Sequence, residues 1–237
     1  MAEGSRAAYH YAGESEWCRL SASDKAANVL RLCRDVDHAS ILDVGAGEGS
    51  VTARLAELGF GERHCAIELS QSGVDAIRGR GIESLEDCRV FDGERIPYAD
   101  ASFDLAVLSH VVEHALHPRK LLCEAGRVAR HVFVEVPLEH HLRLPRDFVA
   151  DDLGHINAYS PVTIRRLVQS CGFEVRSQIT SHRSRATYTY HGDRLGEAKH
   201  AIKEWALRMA PRVATSLWTY HGALLCRPDA AGAADTG

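Results

Sequence analysis

Short apolar runs alternate with helix-compatible stretches from about residue 40 onward, and this alternation restricts the fold of the 237-residue chain more than any other feature. Strand-sized runs separated by helices are typical of βα units, which build a parallel sheet. The sequence therefore predicts an α/β fold with a doubly wound, seven-stranded, mostly parallel sheet. The predicted strands are, in order, ASILDVG, HCAIEL, CRVFD, FDLAVLS, HVFVEVP, FEVRSQIT and SLWTYHGALLCRP.

Helix signals fall between these strands and support the same order. Gly59 ends the pattern SVTARLAELG, and Pro118 lies near the start of HPRKLLCEAGRVA. These are the places where glycine and proline are favoured in helices. Ser160 followed by Pro161 predicts the capped start of the helix PVTIRRLVQSCG. The preceding stretch, LEHHLRLPRDFVADDLGHINAY, is rich in histidine and acidic residues, and we interpret it as a functional loop over one edge of the sheet.

The chain is predicted to form one large domain with two additions. A helix capped at Ser23 or Asp24 precedes the sheet, and the helical pattern GEAKHAIKEWALRMA interrupts the chain before the last strand. We predict an N-terminal helical lid over residues 1–36, a main domain over 37–228 whose insertion at 181–216 caps a pocket, and a flexible tail at 229–237.

The composition indicates which binding partners and which cell compartment to expect. The longest apolar runs fall short of the roughly 20 residues that span a bilayer. The N-terminus also lacks the pattern of a signal peptide, so a cytoplasmic protein without membrane contact is expected. Seven scattered cysteines without a C-x-x-C pair indicate reduced thiols. The formal net charge of −4 disfavours a general nucleic-acid partner. The sequence leaves the oligomeric state open, with a homodimer among the options.

A glycine-rich turn follows the first predicted strand, where residues 43–49 read D-V-G-A-G-E-G. Glycine permits positive φ and lets the backbone approach a ligand, so this turn predicts a ligand-binding site. A dinucleotide fingerprint beginning at Gly45 needs its third glycine at the position of Ser50. This departure disfavours a nicotinamide-dependent oxidoreductase, and Asp43 is poorly suited to lie beside a pyrophosphate.

The turn resembles motif I of the class I S-adenosylmethionine-dependent methyltransferases, particularly the small-molecule enzymes called type 11. Glu68 matches the family's acidic residue that binds the ribose hydroxyls, Asp92 matches its adenine-binding aspartate, and SFDLAVLSHVVEH is similar to its strand-four motif. The resemblance covers roughly residues 25–180 and implies a Rossmann-like methyltransferase domain. It also implies S-adenosylmethionine as cofactor and S-adenosylhomocysteine as product. The residues implied to bind the cofactor are Asp43, Gly45, Ala46, Gly47, Glu68, Leu69, Asp92 and Gly93.

One part of the chain departs from the family pattern. Family members commonly carry a Pro-Gly-Gly turn before strand five, whereas this chain reads AGRVARHVFVEVP. Residue roles in the fifth strand and the following loop are therefore less transferable from the resemblance than those around the glycine turn.

The stretch LSHVVEH contains His110, Glu113 and His114 in the order H-x-x-E-H, which is also the ligand order of one group of zinc peptidases. Such a site needs its ligands on one continuous helix. Here His110 follows a strand directly, and a helix is expected only near Pro118, so we predict no metal. Ligands of doubly wound sheets bind beyond the carboxyl ends of the strands, and Ser109 and His110 are therefore expected beside the methionine part of the cofactor.

Histidine, aromatic and basic residues are the candidates for binding a methyl acceptor and for removing its proton. Histidine exchanges a proton near neutral pH, and His110 and His155 are the candidate catalytic bases, although a packing role fits each equally well. Residues 41–104 carry 13 acidic and 6 basic side chains, whereas 160–227 carry 11 basic and 4 acidic ones. This division suits a cationic cofactor beside an anionic or electron-rich acceptor. The candidate acceptor-binding residues are Tyr11, Trp17, Arg19, Tyr159, Arg183 and Arg185.

The function expected from these features is methyl transfer to a small-molecule metabolite, with O-methylation assisted by a histidine base as the preferred form. Two alternatives stay open. An RNA or protein methyltransferase would use the basic half as a docking surface, and a noncatalytic protein would bind the cofactor without turning it over. Because variable segments choose the acceptor, the fold does not name it.

Overall fold

A seven-stranded mixed sheet forms the centre of the computed structural model, which describes residues 16–190 and 195–229. The strands are β1 (Ser40–Val44), β2 (Arg63–Glu68), β3 (Leu85–Val90), β4 (Phe103–Ser109), β5 (Ala129–Leu138), β6 (Phe173–Ser181) and β7 (Tyr220–Pro228). Their order in the sheet is β3-β2-β1-β4-β5-β7-β6. β7 runs antiparallel to β5 and β6, and the other pairs are parallel. The predicted doubly wound, mostly parallel sheet is confirmed.

Helices cover both faces of this sheet. They are α1 (Glu16–Cys33), α2 (Ser50–Glu57), α3 (Gln71–Gly79), α4 (Pro118–Val128), α5 (Pro161–Gln169), α6 (Arg185–Thr189), α7 (Gly196–Met209) and α8 (Pro211–Leu217). The apolar sides of α1 and α2 share one core with Ile41 and Phe133, and those of α4 and α5 share another with Leu42 and Val132. Neighbouring residues of one strand thus point to opposite faces, and both faces are buried.

The first helix differs from its predicted start. Ser23 and Asp24 lie inside α1 rather than at its N-cap, and the helix already includes Glu16. The Ser23 hydroxyl donates to the Arg19 carbonyl one turn earlier. Asp24 instead accepts hydrogen bonds from the Ser184 amide and the Thr187 hydroxyl, at 2.9 and 2.8 Å, and so holds the start of α6. The role of this segment as a lid remains a prediction.

Two further boundaries differ from the sequence prediction. β3 ends at Val90, so Asp92 lies in the turn beyond it rather than in the strand. The stretch predicted as the start of the last strand, Ser216 and Leu217, belongs to α8. The insertion between β6 and β7 consists of α6, α7 and α8 in the residues that the structure describes, and its helical pattern was predicted correctly for α7.

The start of α5 agrees with its prediction. The Ser160 hydroxyl accepts from the Thr163 amide, and the Thr163 hydroxyl accepts from the Ser160 amide at 2.8 Å, with Pro161 in the first turn. This reciprocal cap satisfies two amide donors that the helix itself leaves free. It ends the loop of residues 139–159, which contains neither helix nor strand, as predicted.

Candidate functional site

The glycine turn after β1 has the backbone that the sequence predicts. Gly45, Gly47 and Gly49 have φ values of 70°, 61° and 79°, which favour glycine. The amides of Gly45 and Ala46 donate to the Ile67 carbonyl in β2 at 2.8 and 3.1 Å. A Cβ on Gly45 would lie 2.9 Å from Val111, so a larger residue would not fit. The turn is therefore a fixed, open cradle at the carboxyl end of the sheet.

Asp43 places a buried carboxylate beside this cradle. Its Oδ2 accepts a hydrogen bond of 2.6 Å from the Thr52 hydroxyl in α2, and the residue is only 3% exposed. Burial raises the pKa of Asp43 to about 6, against the opposing effects of the Thr52 hydrogen bond and the Lys25 ammonium. No described residue donates to Oδ1. The site thus holds a largely ionised carboxylate at neutral pH that a cationic ligand group would stabilise.

Glu68 ends β2 and closes the other side of the cradle. Its Oε2 accepts from the Gly47 amide at 2.9 Å, which ties β2 to the glycine turn. Burial raises the pKa of the Glu68 carboxyl, while the amides of Gly47, Leu69 and Ser70 oppose this shift. Gly73 in α3 packs so closely that a Cβ there would lie 2.5 Å from Glu68 Cγ.

Asp92 lies outside this buried pair, in the turn after β3. Its Oδ1 accepts from the amides of Glu94 and Arg95, both at 2.8 Å, and these bonds lower its pKa. Nearby, the side chain of Leu69 is 57% exposed. A Cβ on Gly93, which has a φ of 84°, would lie 3.0 Å from that side chain. A carboxylate and an exposed apolar surface therefore lie side by side at the ends of β2 and β3.

Ser109 and His110 form the end of β4. The Ser109 hydroxyl donates to Glu135 Oε2 at 2.8 Å, and the His110 amide donates to the Glu135 carbonyl at 2.8 Å. His110 has a φ of 61°, which is rare for a residue with a side chain and turns its ring away from the path of the strand. Its Nε2 lies 2.9 Å from His221 Nδ1, and its Nδ1 lies 3.2 Å from Glu113 Oε1.

Glu135 lies at the centre of this polar cluster, fully buried in β5. Its Oε1 accepts from the Asn28 side-chain amide of α1 at 2.6 Å, and Asn28 also donates to the Ser181 hydroxyl at 3.0 Å. Burial raises the pKa of Glu135 to about 7. The cluster therefore joins α1, β4, β5, β6 and β7 at the carboxyl end of the sheet, beside the glycine turn.

Comparison with known proteins identifies the central part of the chain. A family model described as a methyltransferase domain matches residues 42–131, which include the glycine turn and the ends of β2, β3 and β4. This match assigns residues 42–131 to a methyltransferase domain of the class I S-adenosylmethionine-dependent type. The cofactor of this family is S-adenosylmethionine, as the resemblance implied.

Two curated relatives match this methyltransferase domain. One is the malonyl-[acyl-carrier protein] O-methyltransferase of Hahella chejuensis, 32% identical over 103 residues that make up 44% of this chain and 37% of the relative. The other is the ajmaline N-methyltransferase of Rauvolfia serpentina, 30% identical over 105 residues, or 43% and 36% of the two chains. The chain thus matches little more than a third of the length of these curated relatives.

A solved structure shares the fold of this chain. The [4+2]-cyclase SpnF is 19% identical, with a TM-score of 0.65 over 93% of this chain and 85% of that one. At this identity the likeness concerns the fold alone.

Among the described residues, no helix combines the length and apolar character that crossing a membrane requires.

The second candidate base, His155, lies in the loop after β5. Its Nδ1 is 2.8 Å from Glu139 Oε2 and 3.0 Å from Asp151 Oδ2, and its ring meets that of His114 edge-on at 4.8 Å. The hydrogen bond to Glu139 raises the pKa of His155. Two carboxylates thus favour the protonated ring, which is unsuited to accepting a proton. Its role as a base remains a prediction that this geometry does not favour.

The H-x-x-E-H residues do not share a helix, as the sequence analysis expected. His110, Glu113 and His114 lie in a turn between β4 and α4. His110 is directed toward His221, whereas His114 Nδ1 is 3.0 Å from the Gly154 carbonyl of the loop after β5. The two rings therefore contact different parts of the molecule.

The predicted acceptor residues are dispersed. The Arg183 guanidinium lies 4.7 Å above the Trp17 ring, and that ring lies 5.9 Å from Tyr190. Arg19 is exposed on α1. Arg185 is also exposed and forms an ion pair with Glu197 at 2.5 Å. The Tyr159 side chain, in contrast, is buried in the hydrophobic core. Tyr11 lies outside the described residues. The structure thus brings together only Trp17 and Arg183 of the candidates that it describes, and the acceptor role of each remains a prediction.

Sequence reasoning missed Asn28, Glu135 and His221 as site residues. A usable signal existed for Glu135, because a lone glutamate in the apolar strand HVFVEVP must be buried on one face of a sheet covered on both sides. His221 lies in the second of two TYHG stretches, and four shared residues alone do not indicate a site. Its partner in the site, His110, is 111 positions away, beyond the reach of a local pattern.

The buried carboxyl of Glu135 leads to a stability prediction. Its folded-state pKa of about 7 exceeds the ordinary glutamate pKa of 4.5, so between these two pH values only the folded state retains the proton. The contribution of Glu135 to stability is therefore present below pH 4.5 and is lost as the pH rises through the folded-state pKa. We expect Glu135→Gln to become more stable relative to the unaltered protein as the pH rises from 5 to 7.5, by roughly 1.4 kcal/mol per pH unit at most.

Urea unfolding of both proteins at several pH values measures this difference. Glu174→Gln is the matched control, because Glu174 is exposed on β6 and pairs only with Arg176 among the described residues. Its difference from the unaltered protein should stay flat over the same pH range. A flat difference for Glu135→Gln as well would show that Glu135 stays ionised in the folded protein.

Proposed function

We propose that the protein transfers the methyl group of S-adenosylmethionine to a hydroxyl oxygen of a small-molecule acceptor, with a histidine at the β4 end taking part in removal of the acceptor proton. The observation that carries the proposal is the position of the Ser109–His110–Glu135–His221 cluster next to the cofactor cradle. The cradle itself would suit a cofactor-binding protein of any kind. The adjoining cluster supplies side chains that can accept and donate a proton.

The residues of the cradle fit the polar groups of the cofactor. Asp43 offers a buried carboxylate for the ammonium group, and Glu68 offers another for the ribose hydroxyls. Amides of the glycine turn would face the cofactor carboxylate. Asp92 Oδ2, to which no described residue donates, would accept from the adenine amino group, with Leu69 against the ring. When bound, the cofactor supplies a methyl group activated by its sulfonium charge.

The acceptor would enter between α1 and the segment after β6. A narrow cavity of about 10 Å³ there is lined by residues of both segments and of the cluster, namely Ser21, Asp24, Lys25, Asn28, Glu135, Ser181, His182, Arg183 and His221. This volume admits about one water molecule, so the two segments would have to separate to admit the acceptor. The cations Lys25 and Arg183 would attract an acceptor with negative charge, and desolvation strengthens that attraction. Fixing the acceptor oxygen in line with the methyl group would provide most of the acceleration.

O-methylation is preferred over N-methylation because a hydroxyl must lose a proton during the reaction, and the cluster can take one. The two curated relatives differ on this point, since one is an O- and the other an N-methyltransferase. An acceptor amine that is already neutral needs no base before attack. The neutral imidazoles of the cluster therefore suit a hydroxyl.

Turnover with a labelled methyl donor tests the proposal. We expect the protein to methylate at least one hydroxylated, negatively charged metabolite in a panel, and His110→Asn to lower kcat by roughly 10²- to 10⁴-fold at nearly unchanged cofactor affinity. His38→Asn is the control, because His38 stacks on Phe60 at 4.0 Å just before β1, at the amino end of that strand and away from the cluster. Strong, salt-dependent RNA binding would favour an RNA methyltransferase. Cofactor binding without turnover of any acceptor class would identify a noncatalytic binding protein.

A further inference from the structure

Three titratable groups form a row in the polar cluster: Glu113 and His110, three residues apart after β4, and His221 in β7. Glu113 Oε1 lies 3.2 Å from His110 Nδ1, and His110 Nε2 lies 2.9 Å from His221 Nδ1. Glu113 is fully buried, and no described group makes a hydrogen bond of good geometry to either of its carboxylate oxygens. A buried carboxylate without such a partner is costly, so its position against His110 requires an explanation.

The distances permit one assignment of the ring protons when Glu113 is ionised. A carboxylate can only accept, so an ionised Glu113 at 3.2 Å favours the His110 tautomer that carries its proton on Nδ1. The neutral His110 ring then has a lone pair on Nε2, and the contact of 2.9 Å requires His221 Nδ1 to donate. It follows that the neutral His221 ring carries its free lone pair on Nε2.

This free nitrogen belongs to a residue of the cavity wall. His221 lines the cavity between α1 and the segment after β6, together with Asn28 and Lys25. None of the described residues makes a hydrogen bond to His221 Nε2. The row therefore ends at an unoccupied proton acceptor among the residues that line the proposed acceptor space.

We propose that His221 is the catalytic base, and that His110 and Glu113 relay the proton away from the acceptor. The proposal rests on the proposed methyl transfer to a hydroxyl. As the acceptor oxygen forms its bond to the methyl carbon, the carbon–sulfur bond breaks and its electron pair stays on sulfur. The acceptor proton moves to His221 Nε2, the His221 Nδ1 proton to His110 Nε2, and the His110 Nδ1 proton to the Glu113 carboxylate.

The relay avoids an isolated charge in a buried site. An imidazolium at His221 alone would lie near Lys25 and Arg183, and burial together with these cations lowers the pKa of His221 well below its ordinary value. The same causes lower the pKa of His110. Passing the proton to Glu113, whose pKa burial raises to about 7, leaves two neutral rings and a neutral carboxyl. The groups that bear on the two rings are Lys25, His114, Glu135, His155, Arg183 and Lys203.

A metal centre is the competing interpretation of His110, Glu135 and His221, whose donor atoms lie within 4.8 Å of one another. Two nitrogens bound to one zinc ion at about 2.05 Å would be roughly 3.3 Å apart in a tetrahedral site. The observed 2.9 Å is instead a hydrogen-bond distance. Both oxygens of Glu135 also accept hydrogen bonds already, from Asn28 and Ser109. The geometry favours the relay.

Nitrogen-15 NMR of the histidine rings tests the relay without any acceptor. In the cofactor-free protein at pH 8.5, above the Glu113 pKa of about 7, we expect both rings to be neutral, with protons on Nδ1 of His110 and Nδ1 of His221. A proton on His221 Nε2, or a charged His221 ring, would overturn the proposal. Titration with Co²⁺ is the second arm: a stoichiometric complex that disappears in His221→Asn would also overturn it, in favour of a metal centre.

Kinetics with an acceptor from the panel completes the test. We expect His221→Asn to lower kcat by roughly 10²- to 10⁴-fold with an unchanged KM for S-adenosylmethionine, and with loss of the acidic limb of the pH profile. Glu113→Gln, which preserves shape but takes up no proton, should lower kcat similarly, and Glu113→Asp should restore part of it. Full activity and an unaltered pH profile in His221→Asn would refute the role of His221. Because the NMR measurement needs no acceptor, failure of the proposed function is distinguishable from failure of the relay.

Discussion

An Asp43→Asn variant is expected to bind S-adenosylmethionine about 10- to 150-fold more weakly than the unaltered protein. The reason is the loss of a charge-assisted interaction with the cofactor ammonium, a class of contact that contributes about 1.5–3 kcal/mol. Asparagine retains the size of the side chain and an oxygen that can accept from Thr52. Calorimetric titration with S-adenosylmethionine, and separately with S-adenosylhomocysteine, measures the change.

The stability of the same variant separates loss of charge from loss of fold. Ionised Asp43 is destabilising in the cofactor-free protein, because burial raises its pKa to about 6. At pH 8 the variant should therefore unfold at a urea concentration no lower than that of the unaltered protein, although its cofactor affinity falls. Asp75→Asn is the matched control, since Asp75 is exposed on α3 and bonds to Gln71. Unchanged affinity in Asp43→Asn would remove Asp43 from the cofactor site.

Much of the fold follows from local patterns. The strands could be predicted because buried parallel strands are short apolar runs. The helices between them begin at residues such as Pro118 or end just before residues such as Gly59. The start of α1 could not be predicted, because the sequence shows only that Ser23 and Asp24 are residue types favoured at an N-cap, and not which groups their side chains contact. Oδ2 of Asp24 instead accepts from the amide of Ser184, 160 positions later, so Asp24 contributes to the start of α6 and not to that of α1.

The two halves of the site differ in the same way. The glycine turn and Asp43 lie within seven consecutive residues, and the family resemblance adds Glu68, which the structure ties to the turn, so the residues of the cradle could be named from the sequence. On the acceptor side, the sequence singled out His110 but not its surroundings. Glu135 and His221 meet it only because β7 returns antiparallel beside β5, with Glu135 opposite Ala223 in the register. The spacing of these residues along the chain therefore does not indicate that they lie together.

The second large effect is expected at Gly73, a glycine in α3 with no need of positive φ. A Cβ there would lie 2.5 Å from Glu68 Cγ and 2.8 Å from the Gly47 carbonyl oxygen, distances that real Cβ atoms do not show. Gly73→Ala must therefore displace Glu68 or the glycine turn. We expect it to lower the free energy of unfolding by about 1–3 kcal/mol. Because both displaced groups belong to the cradle, it should also weaken cofactor binding at least tenfold, in a range that calorimetry resolves.

Gly79→Ala provides the control within the same helix. Gly79 is the last residue of α3, and a Cβ there would meet nothing within 4 Å. Alanine loses less backbone entropy than glycine on folding, so this variant should gain up to about 0.5–1 kcal/mol of stability. Its cofactor affinity should equal that of the unaltered protein. The two substitutions add the same methyl group to the same helix, so opposite signs in stability would isolate the contact with Glu68 as the cause. If Gly73→Ala binds the cofactor as tightly as Gly79→Ala, the carboxylate of Glu68 can move without loss of binding, and its proposed contact with the ribose hydroxyls is wrong.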